Sequence, residues 1–277
     1  MLRFSTSGAT RRRLRLIATA VLGLALIAEF VIAGALVKPP ATTRATAAGT
    51  HTMRLVDRGG PTPLAGRIAA ELPGAVAAVT AFWRDDWPRE IVVVTTGTDA
   101  DFAAETGEPN RDWTGVAAVS VADHVDLDRR ETSGQRIVFA PGANAMSQTA
   151  FRIVLRHELF HYAARTRTAF DAPRWLVEGV ADYVGRPPAP RPGPNAVPAA
   201  LPTDADLDAG GKKGSAAYDR AWWFARFIAD EYGPSGLRRL YIEACGPSHP
   251  DPDQAARTAL GAGLGDLLAR WQHWLAG

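Results

Sequence analysis

Cysteine is almost absent from this chain of 277 residues. The single cysteine, Cys245, has no partner for an intramolecular disulfide and no C-x-x-C neighbour, which excludes a disulfide framework and predicts a structural thiol. A large excess of charge is also absent, because 31 Lys and Arg against 29 Asp and Glu give a formal net charge of +2. Some of the positive residues lie at the extreme N-terminus (Arg3, Arg11, Arg12, Arg13 and Arg15). The remainder is close to neutral, so no nucleic-acid partner is implied.

The composition is that of an ordinary globular protein, with 47% hydrophobic and 22% charged residues, plus one special N-terminal segment. Residues 1–15 carry the basic cluster, and residues 16–37 are apolar except for Glu29. As a helix the apolar run would extend roughly 33 Å, enough for the hydrocarbon core of a bilayer. Basic residues before it favour a cytoplasmic N-terminus, with the rest of the chain outside.

Two interpretations of this segment remain open. An uncleaved anchor would use the whole run of residues 16–37 and tolerate Glu29 in its outer third. A cleaved signal peptide would use the stretch before Glu29 and be cut at a small-residue site such as Ala45-Thr46-Ala47. The length favours the anchor. Both interpretations predict an extracytoplasmic domain, attached to the cell membrane by a single span in the first case and secreted in the second.

Residues 38–52 are rich in Pro, Ala and Thr without an apolar period and predict a linker, followed by a folded domain over residues 53–277. The first half of that domain mixes helical and strand patterns, and Pro73 divides its first helical stretch into two helices or kinks one. The predicted helical stretches are Leu64–Trp83 and Asp99–Thr106, and the predicted strands are Ile91–Thr96, Val116–Val121 and Arg136–Ala140. A charged turn is predicted over residues 123–134, and beyond residue 147 the pattern is mostly helical.

The pentapeptide His157-Glu158-Leu159-Phe160-His161 is the most informative part of the chain. On a helix, histidines at i and i+4 share a face and can reach one zinc ion, while the intervening glutamate lies where a general base would hold a water. A catalytic zinc needs a third protein ligand, and Glu178 follows at a distance that allows a turn and a second helix. Asp182, one helical turn further on, could accept the second ring N–H of a zinc histidine.

The surroundings of the pentapeptide favour a metal site over coincidence. Ser147 is a good N-cap for a helix, in which one face is formed by apolar side chains (Phe151, Leu155, Leu159 and Tyr162). Such a helix is nearly buried. Two histidines and a glutamate inside it need partners, and a metal ion accounts for all three at once.

These residues resemble the gluzincin metallopeptidases, the thermolysin-like clan of zinc proteases. More closely, the chain resembles the bacterial peptidase MA-like domains, in which an HE-x-x-H helix precedes a W-L-x-E-G-x-A segment, here Trp175–Ala181. The resemblance covers roughly residues 53–277. It implies one Zn²⁺ bound by His157, His161 and Glu178. It also implies Glu158 as the base and Asp182 behind a zinc ligand. One departure is the gap between His161 and Glu178, which is shorter than in thermolysin-like enzymes and implies a different connecting turn.

The region after this segment contributes less. Residues 186–214 are rich in Pro and Gly and predict a flexible surface loop or, because the loop leaves the helix that carries Glu178, a lip over the active site. Tyr218 is the preferred candidate for the oxyanion donor, with core packing as the equal alternative. Arg220 and His249 are weaker candidates. Five tryptophans are predicted to be core residues (Trp83, Trp87, Trp113, Trp271 and Trp274).

The predicted fold is α+β: a zincin-like domain with a small N-terminal sheet packed on the HE-x-x-H helix and a mostly helical C-terminal half, preceded by the N-terminal helix. The predicted function is a membrane-tethered or secreted zinc metallopeptidase acting on peptides or proteins. Two alternatives stay open: a zinc amidase acting on cell-wall peptides, and a non-catalytic zinc-containing binding module. The sequence gives no indication of the oligomeric state.

Overall fold

A mixed β-sheet is built from the first half of the domain in the computed structural model, which describes residues 31–32, 43–48, 51–84, 86–192 and 200–276. The strands are β1 Val31–Ile32, β2 Thr43–Ala48, β3 His51–Arg58, β4 Glu90–Thr96, β5 Ala118–Ala122, β6 His124–Asp126, β7 Glu131–Ser133 and β8 Arg136–Phe139. The main sheet has the order β1-β5-β8-β4-β3-β2, and β6 and β7 form a separate hairpin.

Strand direction changes at both sides of the main sheet. The central strands β3, β4 and β8 are parallel, whereas β5 runs antiparallel to β8 and β2 antiparallel to β3. Residues 91–96 of β4 are all buried, as expected of a strand with parallel neighbours and covered faces. β5 therefore lies near one edge, where its only further neighbour among the described residues is the two-residue β1.

Helices cover the sheet and make up the second half of the domain. Their bounds are α1 Thr62–Trp83, α2 Asp99–Thr106, α3 Gln148–Ala164, α4 Arg174–Gly185, α5 Asp204–Leu207, α6 Gly211–Cys245, α7 Pro252–Leu260 and α8 Leu264–Ala276, with short 3₁₀ turns at Pro141–Ala145 and Arg165–Arg167. Helix α6 is interrupted at Gly233, which has a φ of 74° and precedes Pro234. The architecture is α+β and is compatible with a zincin-like fold.

Helix α3 begins where its sequence predicts. The Ser147 hydroxyl accepts a hydrogen bond from the Ala150 N–H at 3.2 Å and caps the helix. The apolar face of α3 packs against the sheet, α1 and α4, and Phe151, Leu155 and Leu159 are fully buried. The five predicted core tryptophans are buried as well, as is Cys245 (Trp83, Trp87, Trp113, Trp271 and Trp274). Four of these tryptophans share one core cluster with the apolar face of α3, whereas Trp113 belongs to a separate cluster.

Helix α1 is continuous through Pro73, so the alternative of two separate helices is wrong. Among the described residues it is the helix that is long and apolar enough to cross a membrane by length and composition. One of its faces contributes Leu64, Ile68 and Leu72 to the core beneath α3.

The sheet extends into the segment predicted as a linker. Residues 43–48 form β2, and β3 begins at His51, so the domain starts before Met53. An edge strand needs main-chain hydrogen bonds to one neighbour only, and a weak side-chain pattern does not reveal it. Within the predicted apolar helix over residues 16–37, Val31–Ile32 are extended and pair with β5, so helix is the wrong prediction for these two residues. The rest of that segment lies outside the described residues.

Two further loop predictions are corrected. The charged turn over residues 123–134 contains the β6–β7 hairpin, in which Asp126 pairs with Glu131. In the predicted loop over residues 186–214, Asp204–Leu207 form α5 and Gly211 begins α6. Thr203 and Asp206 form a reciprocal capping box that stabilises a helix of one turn, which is too short to give an apolar period.

Candidate metal centre and active site

Helix α3 brings His157 and His161 together on its buried face. Their Nε2 atoms are 3.0 Å apart, and both residues are almost fully buried. This follows from the i, i+4 spacing, which places the two side chains one above the other. The pair points to the side of α3 that faces α4.

Helix α4 supplies the third candidate ligand, Glu178. Its Oε2 lies 3.2 Å from Nε2 of His157 and 3.6 Å from Nε2 of His161. The neighbouring Gly179 allows this approach, because a Cβ there would lie only 2.5 Å from the Ala221 carbonyl oxygen of α6. The glycine of the W-L-x-E-G segment therefore lets α4 lie between α3 and α6, with Glu178 directed at the histidines.

The three side chains fit a zinc ion. Four tetrahedral ligands at Zn–N and Zn–O distances near 2.0–2.1 Å would be about 3.3–3.4 Å from one another, and the separations of 3.0, 3.2 and 3.6 Å surround that value. Within the described part of the chain, His157, His161 and Glu178 form the one cluster of His, Cys, Asp and Glu side chains that could hold a metal. The cluster has three protein ligands and no fourth among the described residues. This matches a catalytic zinc site, which keeps its fourth position open for water or substrate.

Asp182 lies behind the first histidine. Its Oδ1 is 3.0 Å from Nδ1 of His157, so the His157 Nδ1–H can donate to the carboxylate while Nε2 stays available as a ligand atom. Arg186, the residue that follows the end of α4, forms an ion pair with Asp182 and a second one with Asp219. Asp182 is therefore held between the His157 ring and the Arg186 guanidinium.

Glu158 is fully buried and is held by the sheet. Its Oε2 accepts a hydrogen bond of 2.8 Å from the main-chain N–H of Ser120 in β5. Its Oε1 is buried and has no hydrogen-bond partner among the described residues. A buried carboxylate oxygen without a partner is costly, and a water bound beside the metal cluster would satisfy it.

The charges of the site favour a bound cation. Burial opposes protonation of His157, but the contacts to Asp182 and Glu178 outweigh it and raise the pKa of His157 to about 10. Burial also raises the pKa of Glu158 to about 8. Both shifts reflect three carboxylates gathered out of water around two imidazoles. A divalent ion between the ligands would offset this negative charge and lower both values.

Tyr218 lies on α6 within electrostatic range of the cluster. Burial, followed by the negative charge of Glu178, raises its pKa well above the usual tyrosine value. Its buried hydroxyl has no hydrogen-bond partner in the part of the chain that is described, although its ring packs with Leu207 and Ala217. The weaker candidates have other acidic neighbours: Arg220 forms an ion pair with Asp206, and Nε2 of His249 lies 3.4 Å from Asp171.

Beside the site, the polar groups of Ser120 in β5 already have side-chain partners. The Ser120 carbonyl and hydroxyl both interact with Nη2 of Arg165, and the Ser120 N–H is bound by Glu158. Sequence reasoning missed Ser120, because its decisive contacts are made by the main chain. It also missed Arg165 and Arg186, although each follows a site residue, His161 or Asp182, by four positions on a helix. That spacing was the one available indication.

Comparisons with known proteins give distant structural likenesses. The sequence matches no protein-family profile and no curated protein. Among solved structures, the chain is similar to a mutant of the M1 zinc metallopeptidase from Deinococcus radiodurans, with 15% identity and a TM-score of 0.41. It is also similar to a mutant of a two-domain M1 zinc metallopeptidase bound to L-arginine, with 15% identity and a TM-score of 0.43. Each alignment covers 86% of this chain and 52% of the other. The chain spans about half the length of these structures, and the functional assignment depends on the site itself.

Proposed function

We propose that this chain is a zinc-dependent metallopeptidase in which His157, His161 and Glu178 hold the ion and Glu158 is the general base. The observation that carries the proposal is the buried carboxylate of Glu158, with one oxygen bound by Ser120 and the other without a partner beside the three-ligand cluster. A purely structural zinc site has no use for such a base. When bound, zinc lowers the pKa of a coordinated water and polarises a carbonyl.

The chain's own residues then have distinct tasks. Glu158 Oε1 takes a proton from the attacking water and returns it to the leaving amine. Asp182 keeps the proton of His157 on Nδ1, which fixes the ring and leaves Nε2 as the ligand atom. The buried hydroxyl of Tyr218 donates a hydrogen bond to the oxyanion that forms on the attacked carbonyl. The missing hydroxyl partner and the influence of Glu178 on this tyrosine support that role.

A second candidate, a non-catalytic zinc-containing binding module, is favoured by the burial of the site. His157, Glu158, His161, Glu178 and Tyr218 are each at most 4% exposed. A peptidase with this centre must open before a peptide reaches it. An enzymatic alternative is a zinc amidase acting on cell-wall peptides. It would use the same three zinc ligands and the same base, Glu158, and would differ only in substrate.

One experiment separates these functions. The zinc-loaded full chain and its Glu158→Gln variant are incubated with a broad peptide mixture and with cell-wall stem peptides, and products are identified by mass spectrometry. We expect the wild type to cleave ordinary peptides. The variant should retain zinc and cleave them about 10²-fold or more slowly. Cleavage of stem peptides alone would identify the amidase. Inert wild type with bound zinc would identify the binding module.

We also propose that the apolar N-terminal segment attaches the domain to the extracytoplasmic face of a membrane, with secretion after cleavage as the alternative. The basic cluster before the segment supports attachment. Cell fractionation with N-terminal sequencing of the mature protein tests this. An intact N-terminus in the membrane fraction is expected, whereas a soluble chain beginning near Ala47 would overturn the anchor.

A further inference from the structure

Ser120 has its main-chain and side-chain polar groups occupied on the side of β5 that faces α3. Its N–H donates to Glu158 Oε2 at 2.8 Å, and its carbonyl accepts from Nη2 of Arg165. The same Nη2 is 3.1 Å from the Ser120 hydroxyl. One residue of the sheet is therefore bound by two side chains, both of which come from the HE-x-x-H helix or its immediate continuation.

Arg165 is placed by the same helical repeat as the ligands. It follows His161 by four residues, at the C-terminal end of α3, and is only 2% exposed. Removing a guanidinium from water is costly unless it is hydrogen-bonded and its charge is matched. Burial lowers its pKa to about 10, and the nearby Glu158 carboxylate is the main influence in the opposite direction. A buried arginine at this position needs a role that outweighs its desolvation.

The direction of the Glu158 carboxylate supplies that role. A glutamate side chain has several rotamers, and a general base must present one oxygen to the water in a fixed geometry. The Ser120 N–H fixes Oε2 and leaves Oε1 for the water, but only as long as β5 keeps its position relative to α3. The Arg165 guanidinium joins the Ser120 carbonyl to the end of α3 and so holds that position.

We infer that Arg165 is a positioning residue for the general base: by holding the Ser120 carbonyl and hydroxyl, it keeps the Ser120 N–H on Glu158 Oε2 and leaves Oε1 to face the water. This inference rests on the proposed function, because Glu158 is a general base only if the chain is a metallopeptidase. It extends that function by a residue that acts on the base through Ser120.

The test uses Arg165→Met, which keeps much of the side-chain volume and removes the guanidinium, and a binding measurement that needs no turnover. Acetohydroxamate coordinates an accessible zinc ion and hydrogen-bonds to an adjacent carboxylate. Its affinity is measured for zinc-loaded wild type, Arg165→Met, Glu158→Gln and the double variant. We expect Arg165→Met to weaken binding by about 10-fold when Glu158 is present and by less than about 2-fold in the Glu158→Gln background, because coupled residues are not additive.

Arg67→Met is the matched control. Arg67 also uses its guanidinium to hold main-chain carbonyls, those of Ala143, Asn144 and Met146 in the turn before α3, away from Glu158. This control should lower thermal stability and leave acetohydroxamate affinity and kcat unchanged. In Arg165→Met, kcat should fall by about 10–100-fold with little change in KM, since the base is misplaced and the substrate contacts are not.

The possible outcomes are distinguishable. Equal acetohydroxamate affinity in wild type and Arg165→Met would overturn the inference, and so would additive losses in the double variant. Loss of zinc from Arg165→Met would overturn it too, by assigning Arg165 to the fold or the metal. A wild type that binds acetohydroxamate but cleaves no peptide or stem peptide would overturn the proposed function, and a non-additive cycle would still support the positioning of Glu158 by Arg165.

Discussion

The carboxylate of Asp182 lies 3.0 Å from Nδ1 of His157, and both side chains are fully buried. This contact couples the two sequence segments of the site, because one residue belongs to α3 and the other to α4. It fixes which ring nitrogen of His157 carries the proton and leaves Nε2 facing His161 and Glu178. The order of the site therefore depends on the packing of two helices as well as on the ligands.

Asp182→Asn should weaken zinc binding by about 10–100-fold, since it removes the negative charge behind the ligand while keeping an acceptor atom. Competition with a zinc chelator of known affinity measures the change. Asp219→Asn is the control: this half-exposed carboxylate pairs with the same Arg186 from the opposite side, and its loss should change zinc affinity by less than about 2-fold. Equal effects of the two substitutions would contradict the role given to Asp182.

Gly179→Ala should destabilise the protein by about 1–3 kcal/mol and weaken zinc binding, because the new Cβ would lie 2.5 Å from the Ala221 carbonyl oxygen and force α4 away from α6. Urea unfolding of the zinc-loaded protein measures the first effect. Gly66→Ala is the matched control, since Gly66 is an exposed residue of α1 with open space around it. That substitution should stabilise the protein by up to about 1 kcal/mol. Destabilisation of equal size at both positions would refute the close-packing argument.

Tyr218→Phe should lower kcat by about 10²–10³-fold without loss of stability. The stability part follows because its buried hydroxyl has no hydrogen-bond partner among the described residues, so its removal leaves no partner unsatisfied. Tyr241→Phe should behave in the opposite way. Its buried hydroxyl is 2.8 Å from Oγ1 of Thr168, and its loss should cost about 1 kcal/mol of stability with kcat unchanged. If Tyr218→Phe is fully active, the tyrosine is a packing residue.

Removal of zinc with a chelator should lower the Tm, because a ligand that binds only the folded state stabilises it by about 2.7 kcal/mol at 100 times its Kd. Calorimetric scans at increasing free zinc measure the shift. His161→Gln should remove most of the dependence on zinc, since it takes away one of three ligands. A zinc-dependent Tm that persists unchanged in this variant would mean that the stabilising ion binds elsewhere.

The local features of the site could be predicted from the sequence, since they depend on helical spacing. The Ser147 cap and the shared face of His157 and His161 follow from periodicity and residue type. The contact of Glu158 with Ser120 could not be predicted, because it depends on how β5 lies beside α3 and uses a main-chain N–H. Main-chain groups carry no sequence information about their partners.

The same distinction explains the errors in the fold. A run of β-branched residues predicts a buried strand such as β4. The prediction for β4 was correct to within one residue at its start. Strand β2 pairs at an edge through its main chain, and α5 is a single turn held by its caps. Neither element repeats an apolar pattern, so composition alone predicted a linker and a loop.

Crystals of the zinc-loaded full chain, measured at the zinc absorption edge, would locate the metal ion directly. We expect one anomalous peak within about 2.0–2.2 Å of Nε2 of His157, Nε2 of His161 and a carboxylate oxygen of Glu178, with a water or an open position in the fourth place. Oε1 of Glu158 should face that position. An ion bound elsewhere, or a fourth protein ligand that closes the site, would rule out the proposed zinc centre.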